Sequence, residues 1–161
     1  MRLSNLAATF AFTSVASARI IGIAAPSTLA PNSTFTLTLL TENYIQSVAD
    51  IAVAYGFQLP TETNPTGYPY TLGQFPGSSY LGPNKSNTLQ NVTVQGRVDE
   101  GLESESWFGK DVVLSAGVYS LYGASGGPTV TGFNVTVKIG EYVSGELVRS
   151  EGQGWVENGG A

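Results

Sequence analysis

The chain has neither cysteine nor histidine among its 161 residues. Without cysteine there is no disulfide and no thiolate-held zinc, so a domain of this size must be held together by packing alone. Without histidine as well, Ser-His-Asp and Cys-His nucleophile systems and imidazole-bound metals are excluded. Basic residues are scarce: 7 Lys and Arg stand against 12 Asp and Glu, for a formal net charge of −5. They form no cluster, and a phosphate backbone or an anionic membrane surface would lack its counter-charge, so no nucleic acid partner is expected. No segment reaches the roughly 20 consecutive apolar residues of a membrane-spanning helix, and no membrane anchor is expected. No stretch sustains a helical period either.

What is present begins with "MRLSNLAATFAFTSVASA": a basic Arg2, an apolar run from Leu6 to Val15, then small residues up to Ala18. This is the pattern of a secretory signal peptide, residues 1–18, cut after Ala18. The rest suits a single domain over residues 19–145 with a core of its own. Residues 146–161, ending "VRSEGQGWVENGGA", are polar and glycine-rich and read as a flexible tail that buries too little to offset its ordering. The protein is expected to be secreted and monomeric, with no cofactor and no metal.

Between these ends, segments rich in β-branched and aromatic residues alternate with a period of two. Residues 33–43 place Phe35, Leu37 and Leu39 on one side and Thr34, Thr36 and Thr38 on the other. Residues 50–59 set Ile51, Val53, Tyr55 and Phe57 against a face of Ala52, Ala54 and Gly56, small enough for something to pack closely there. Strands are also expected at 19–25, 87–98 with Val92 and Val94 inward, 107–114, 117–125, and 130–143 with Phe133, Val135, Val137 and Ile139 inward. The fold class is therefore all-β, an antiparallel immunoglobulin-like sandwich of two sheets and about seven strands. Residues 60–87 break the pattern with five of the 8 prolines. So long a connection tends to carry function or to hide a short irregular strand.

"LSAGVY", with Leu114, Gly117 and Tyr119, has the L-x-x-G-x-Y spacing of a tyrosine corner, where a strand crosses between sheets. The rival is a phosphate loop in "GASGG", which would need a following helix; Pro128 and a strand follow instead. Four N-x-S/T sequons stand at Asn32, Asn84, Asn91 and Asn134, whereas Asn64 fails because proline follows it. Alternation points Asn91 and Asn134 outward, and Asn32 and Asn84 fall in turns.

No catalytic residues emerge. Asp99, Glu100, Glu103 and Glu105 could supply a carboxylate pair or calcium ligands, but one short acidic loop is ordinarily a solvated charge run. Trp107 beside a strand reads as core, with a sugar-stacking or protein-binding platform as the alternative. Tyr68, Tyr70, Phe75 and Tyr80 in the proline-rich window are the candidate partner-binding residues, as a protein contact or as a carbohydrate platform.

The block "ARIIGIAAPSTLAPNSTFTLTLLTENYIQSVADIAVAYGFQLP", Ala18 to Pro60, resembles the fungal necrosis-inducing secreted protein family. The likeness continues through "GYPYTLGQF", "YLGPNKSNT" and "GVYSLYGASGGPTVTGFNVTV". The resemblance implies a non-enzymatic effector that suppresses plant pattern-triggered immunity by binding receptor-like and receptor-like cytoplasmic kinases, and that provokes host cell death. It would act in the host apoplast or cytoplasm. Its contact surface should lie on a loop end or sheet edge free of sequons, for which the loop 60–83 is the candidate.

Overall fold

Side-chain alternation decides which face of each strand is buried, and in the computed structural model, which describes residues 17–159, it produces two sheets packed face to face. The strands are β1 (Ser17–Pro26), β2 (Thr28–Leu29), β3 (Thr34–Tyr44), β4 (Val48–Gln58), β5 (Gln74–Tyr80), β6 (Val92–Arg97), β7 (Asp111–Tyr122), β8 (Gly127–Ile139), β9 (Leu147–Arg149) and β10 (Trp155–Asn158). One sheet runs β6-β3-β1-β9 and the other β10-β8-β7-β4-β5. The short β2 lies parallel to β8; all other pairs are antiparallel. Phe35, Leu37 and Leu39 of β3 meet Val53, Phe57, Leu114 and Phe133 of the opposite sheet in one core. Each such side chain is worth roughly 1.5–3 kcal/mol when fully buried.

Seven strands are long, as the alternation predicts, but they are not the seven expected. Residues 107–114 and 117–125 do not form two strands joined by a corner. They merge into β7, which pairs along its length with both β4 and β8. Leu114 and Gly117 are interior to that strand, and Tyr119 points outward, 40% exposed. "LSAGVY" is the interior of a central strand buried on both faces from Leu114 to Val118, and the turn that a corner requires lies upstream at 99–110. The tyrosine that ties the sheets together is Tyr55 of β4. It is 4% exposed, and its hydroxyl accepts from the Arg97 N–H at 2.7 Å and donates to the Arg97 carbonyl at 3.2 Å.

The stretch read as a flexible tail also differs from expectation. Residues 147–149 pair with β1, and 155–158 pair with β8; Gly160 and Ala161 lie outside the described residues. These segments are too short and too polar to announce themselves by periodicity, and they are strands because an existing edge accepts them.

Of the expected signal peptide, residues 1–16 lie outside the described residues, whereas Ser17 and Ala18 begin β1. The Ser17 Oγ sits 2.5 Å from the Gln46 carbonyl and 2.7 Å from Asn87 Oδ1, its single proton serving either acceptor. The Ala18 N–H donates to the same Asn87 Oδ1 at 2.8 Å. A chain beginning at Arg19 should therefore be less stable than one beginning at Ser17 by about 1–2 kcal/mol, since Asn87 Oδ1 loses both donors. Urea denaturation of the two chains checks this, and coincident midpoints would show that these contacts contribute nothing.

Candidate functional site

The C-terminal end of β4, at Gly56 and Gln58, is where residues 67–73 pack. Gly56 leaves room for backbone: a Cβ there would lie 2.6 Å from the Leu72 carbonyl oxygen. The loop is then pinned by Gln58, a buried amide at the end of β4. Its Nε2 donates to the Thr71 carbonyl at 2.9 Å and to Ser115 Oγ at 2.9 Å, while its Oε1 accepts from the Tyr68 N–H at 2.8 Å. Gly73, at φ +87°, closes the loop against the Phe57 carbonyl.

On this pinned backbone Tyr68 and Tyr70 stand outward, 47% and 63% exposed. Tyr68 borders a cleft of about 320 Å³ that Leu59, Thr71, Gln74 and Trp107 also line. The Tyr70 ring lies 5.4 Å from the ring of Trp155, which arrives from β10.

The other two candidates lie elsewhere. Phe75 falls where β5 bulges against β4, between the Tyr55–Gly77 and Phe57–Gln74 pairs. With φ at 54° it turns inward onto Trp107, ring centroids 5.5 Å apart. It therefore packs, partly buried, against the core instead of standing outward with Tyr68 and Tyr70, on the same side of β5 as Gly77 and Ser79. Tyr80, at the far end of β5, is exposed beside a separate hollow that Asp50, Pro83 and Ser86 help to line. Trp107 is buried, as a core residue should be, and its neighbour Phe108 is half-exposed. In the acidic loop Asp99 accepts the Gly101 N–H at 2.8 Å and caps a 3-10 turn, Glu100–Glu103.

The sequons separate by environment. Asn32, Asn84 and Asn91 are exposed, Asn32 with φ at 57°. Asn134 faces outward from β8 but is crossed by the chain entering β10, where a Cβ on Gly154 would lie 2.9 Å from its Nδ2. Its Oδ1 is buried with no hydrogen-bond partner.

The buried charge is Asp50, 3% exposed, near the β3–β4 turn. Its Oδ1 accepts from Ser120 Oγ at 2.6 Å, and its Oδ2 lies 3.3 Å from Ser86 Oγ. Burial raises its carboxyl above the ordinary value of 3.8, although hydrogen bonds from Ser120, the Asn87 backbone and Ser86 offset part of that. A carboxyl raised in the folded state binds protons that the unfolded chain has already released. Its effect on stability is thus most favourable below pH 3.8 and is lost as pH rises through the folded value. Asp50→Asn should remove this component: relative to the variant, the parent should be most stable in acid and lose ground as pH rises. Urea midpoints across pH check this, and a constant gap between the two proteins would refute it.

Comparison with known proteins gives this fold and site a family. The Nis1 family matches residues 16–138. "Necrosis-inducing secreted protein 1" of Colletotrichum higginsianum is 43% identical over 148 residues, covering 92% of this chain and 96% of that protein. The protein of the same name from Colletotrichum orbiculare is 42% identical over 149 residues, covering 92% of this chain and 86% of that one. Among solved structures, a superoxide reductase (neelaredoxin) from Ignicoccus hospitalis reaches a TM-score of 0.42 at 15% identity, over 76% of this chain and 82% of that one, a likeness that bears on neither fold nor function. The protein is accordingly a secreted one, and the chain belongs to the Nis1 family of necrosis-inducing secreted proteins.

Proposed function

We propose that the protein is a non-enzymatic effector that induces host cell death and suppresses plant pattern-triggered immunity. In this reading it binds and inhibits receptor-like and receptor-like cytoplasmic kinases, with loop 60–73 as the contact surface. The observation that carries the reading is the pair Tyr68 and Tyr70, large aromatics displayed on a backbone fixed by Gln58. Rigid, outward tyrosines are the side chains that dominate protein interfaces, because they bury much area and lose little rotamer freedom. The loop holds no acceptor sequon, so glycans at Asn32, Asn84 and Asn91 leave it open, and Asn134 under β10 is the least accessible of the four.

Tyr70→Ala should weaken binding to a plant immune kinase domain at least tenfold, about 1.4 kcal/mol, and reduce cell death in leaves to match. Titration calorimetry alongside leaf expression reads both, and full binding by a folded Tyr70→Ala protein would remove the loop from the interface. A second reading, a carbohydrate-binding module, draws on the cleft that Tyr68, Thr71, Gln74 and Trp107 line. Retention on chitin, glucan or cellulose would favour it over the kinase reading.

A further inference from the structure

Trp155 lies flat on the outer face of the second sheet, in a seat that two glycines create. A Cβ on Gly132 would fall 2.1 Å from its indole Cε2, and a Cβ on Gly117 would fall 3.7 Å from its far edge, Cη2. Leu72 of the loop reaches the same seat from the opposite side, 3.6 Å from that position on Gly117. Beside Leu72 stands Tyr70, its backbone in the left-handed region with φ at 61°, which bulky side chains rarely adopt. Its ring meets the Trp155 ring at 5.4 Å and 46°. The indole Nε1 is buried with no hydrogen-bond partner, so packing alone positions the ring. The segment carrying it is tied to β8 through the Trp155–Gly132 to Asn158–Thr129 pairs and by the Gly154 N–H donating to the Gly132 carbonyl at 2.8 Å.

We propose that the C-terminal strand is a clasp for the recognition loop, with Trp155 a positioning residue that holds Tyr70 and the 60–73 backbone in their presenting conformation. A strained residue persists only where its surroundings determine it, and Trp155 and Leu72, meeting on Gly117, are those surroundings. That this loop touches the partner rests on the function proposed above; that Trp155 holds it does not.

Hydrogen exchange on the full chain separates the two. In Trp155→Ala, peptides covering 61–73, including the Tyr68 amide bonded to Gln58 Oε1, should exchange at least tenfold faster while those of β3 and β7 keep their protection. Trp155→Phe should restore most of the protection. Gly132→Ala, which expels the indole without deleting it, should reproduce the loosening and guards against a misfolded first variant. Unchanged loop protection in both Trp155→Ala and Gly132→Ala overturns the clasp. Titration of the same proteins against a kinase domain judges the other claim: a loosened loop with undiminished binding upholds the clasp and overturns the loop as the contact.

Discussion

Replacing Trp107 by alanine is expected to lower stability by about 3–5 kcal/mol, the cost of emptying a large aromatic site in a core. Trp107 is 5% exposed and stands at the end of the sandwich where the 99–110 connection turns back into β7. It meets Phe75 edge-to-face at 5.5 Å and 77°, and forms the floor of the cleft beside Tyr68. Removing it would leave Phe75 with a strained backbone and no ring to pack against. With no disulfide to limit the damage, that loss is a large part of the 5–15 kcal/mol of an ordinary domain. Phe108→Ala, one residue on at a site 41% exposed, should stay within about 0.5 kcal/mol. Urea unfolding of both variants tests the contrast. A sugar-stacking Trp107 would give the opposite pattern, with a midpoint unmoved and retention on polysaccharide lost.

The sandwich was readable because its long strands obey one rule. The faces set by alternation at Phe35, Leu37 and Leu39, at Val92 and Val94, and at Phe133, Val135, Val137 and Ile139 are buried, as are Val53, Tyr55 and Phe57. Ile51 of that last face is only half-buried, at the register shift between Asp50 and Ala52. The errors come from features to which a period of two is blind. β7 is buried on both faces, so Ser115, Ala116 and Gly117 look like a break while its neighbours continue the ladder. β5 carries Pro76 and Gly77 and bulges, so it looks like loop, and it exists because the edge of β4 offers hydrogen bonds to it. One strand divided in error, and one foreseen only as a short irregular strand hidden in the 60–87 connection, left the count of long strands at seven.

The candidate site was legible in part. The run of Ala52, Ala54 and Gly56 announced that something would lie against β4, and residues 68–73 do. Gln58 and Trp155 gave no such warning. A buried amide and a tail tryptophan acquire their roles from partners 10 to 57 residues distant in the first case and from glycines of two other strands in the second. The available signal was the mismatch itself: a tryptophan in an otherwise polar terminus has to be covered somewhere, and the paired Gly117 and Gly132 leave a place on the sheet with no side chain to exclude it.

Gly73→Ala should show how tightly that loop is bound to the sheet. Its φ of +87° costs an alanine about 1–2 kcal/mol. The added Cβ would also lie 2.2 Å from the Phe57 carbonyl oxygen and 2.8 Å from its carbon, backbone that β4 holds in register between β5 and β7. Overpacking of that kind adds about 1–3 kcal/mol, so a loss of about 2–5 kcal/mol is expected. Gly126→Ala is the matched control: φ is +64°, yet nothing stands within 4 Å of its Cβ, and only the backbone cost of about 1–2 kcal/mol applies. Equal losses in the two variants would mean that the loop yields freely and is not pressed onto β4. The larger loss at Gly73 should come with a second effect. β4 is central and the loop is peripheral, so the clash is relieved by lifting residues 67–73 away, which breaks the Gln58 bonds and frees Tyr68 and Tyr70. Under the proposed kinase contact, binding should then fall with Gly73→Ala, as is expected for Tyr70→Ala, although neither tyrosine has been touched, and it should be unaffected by Gly126→Ala.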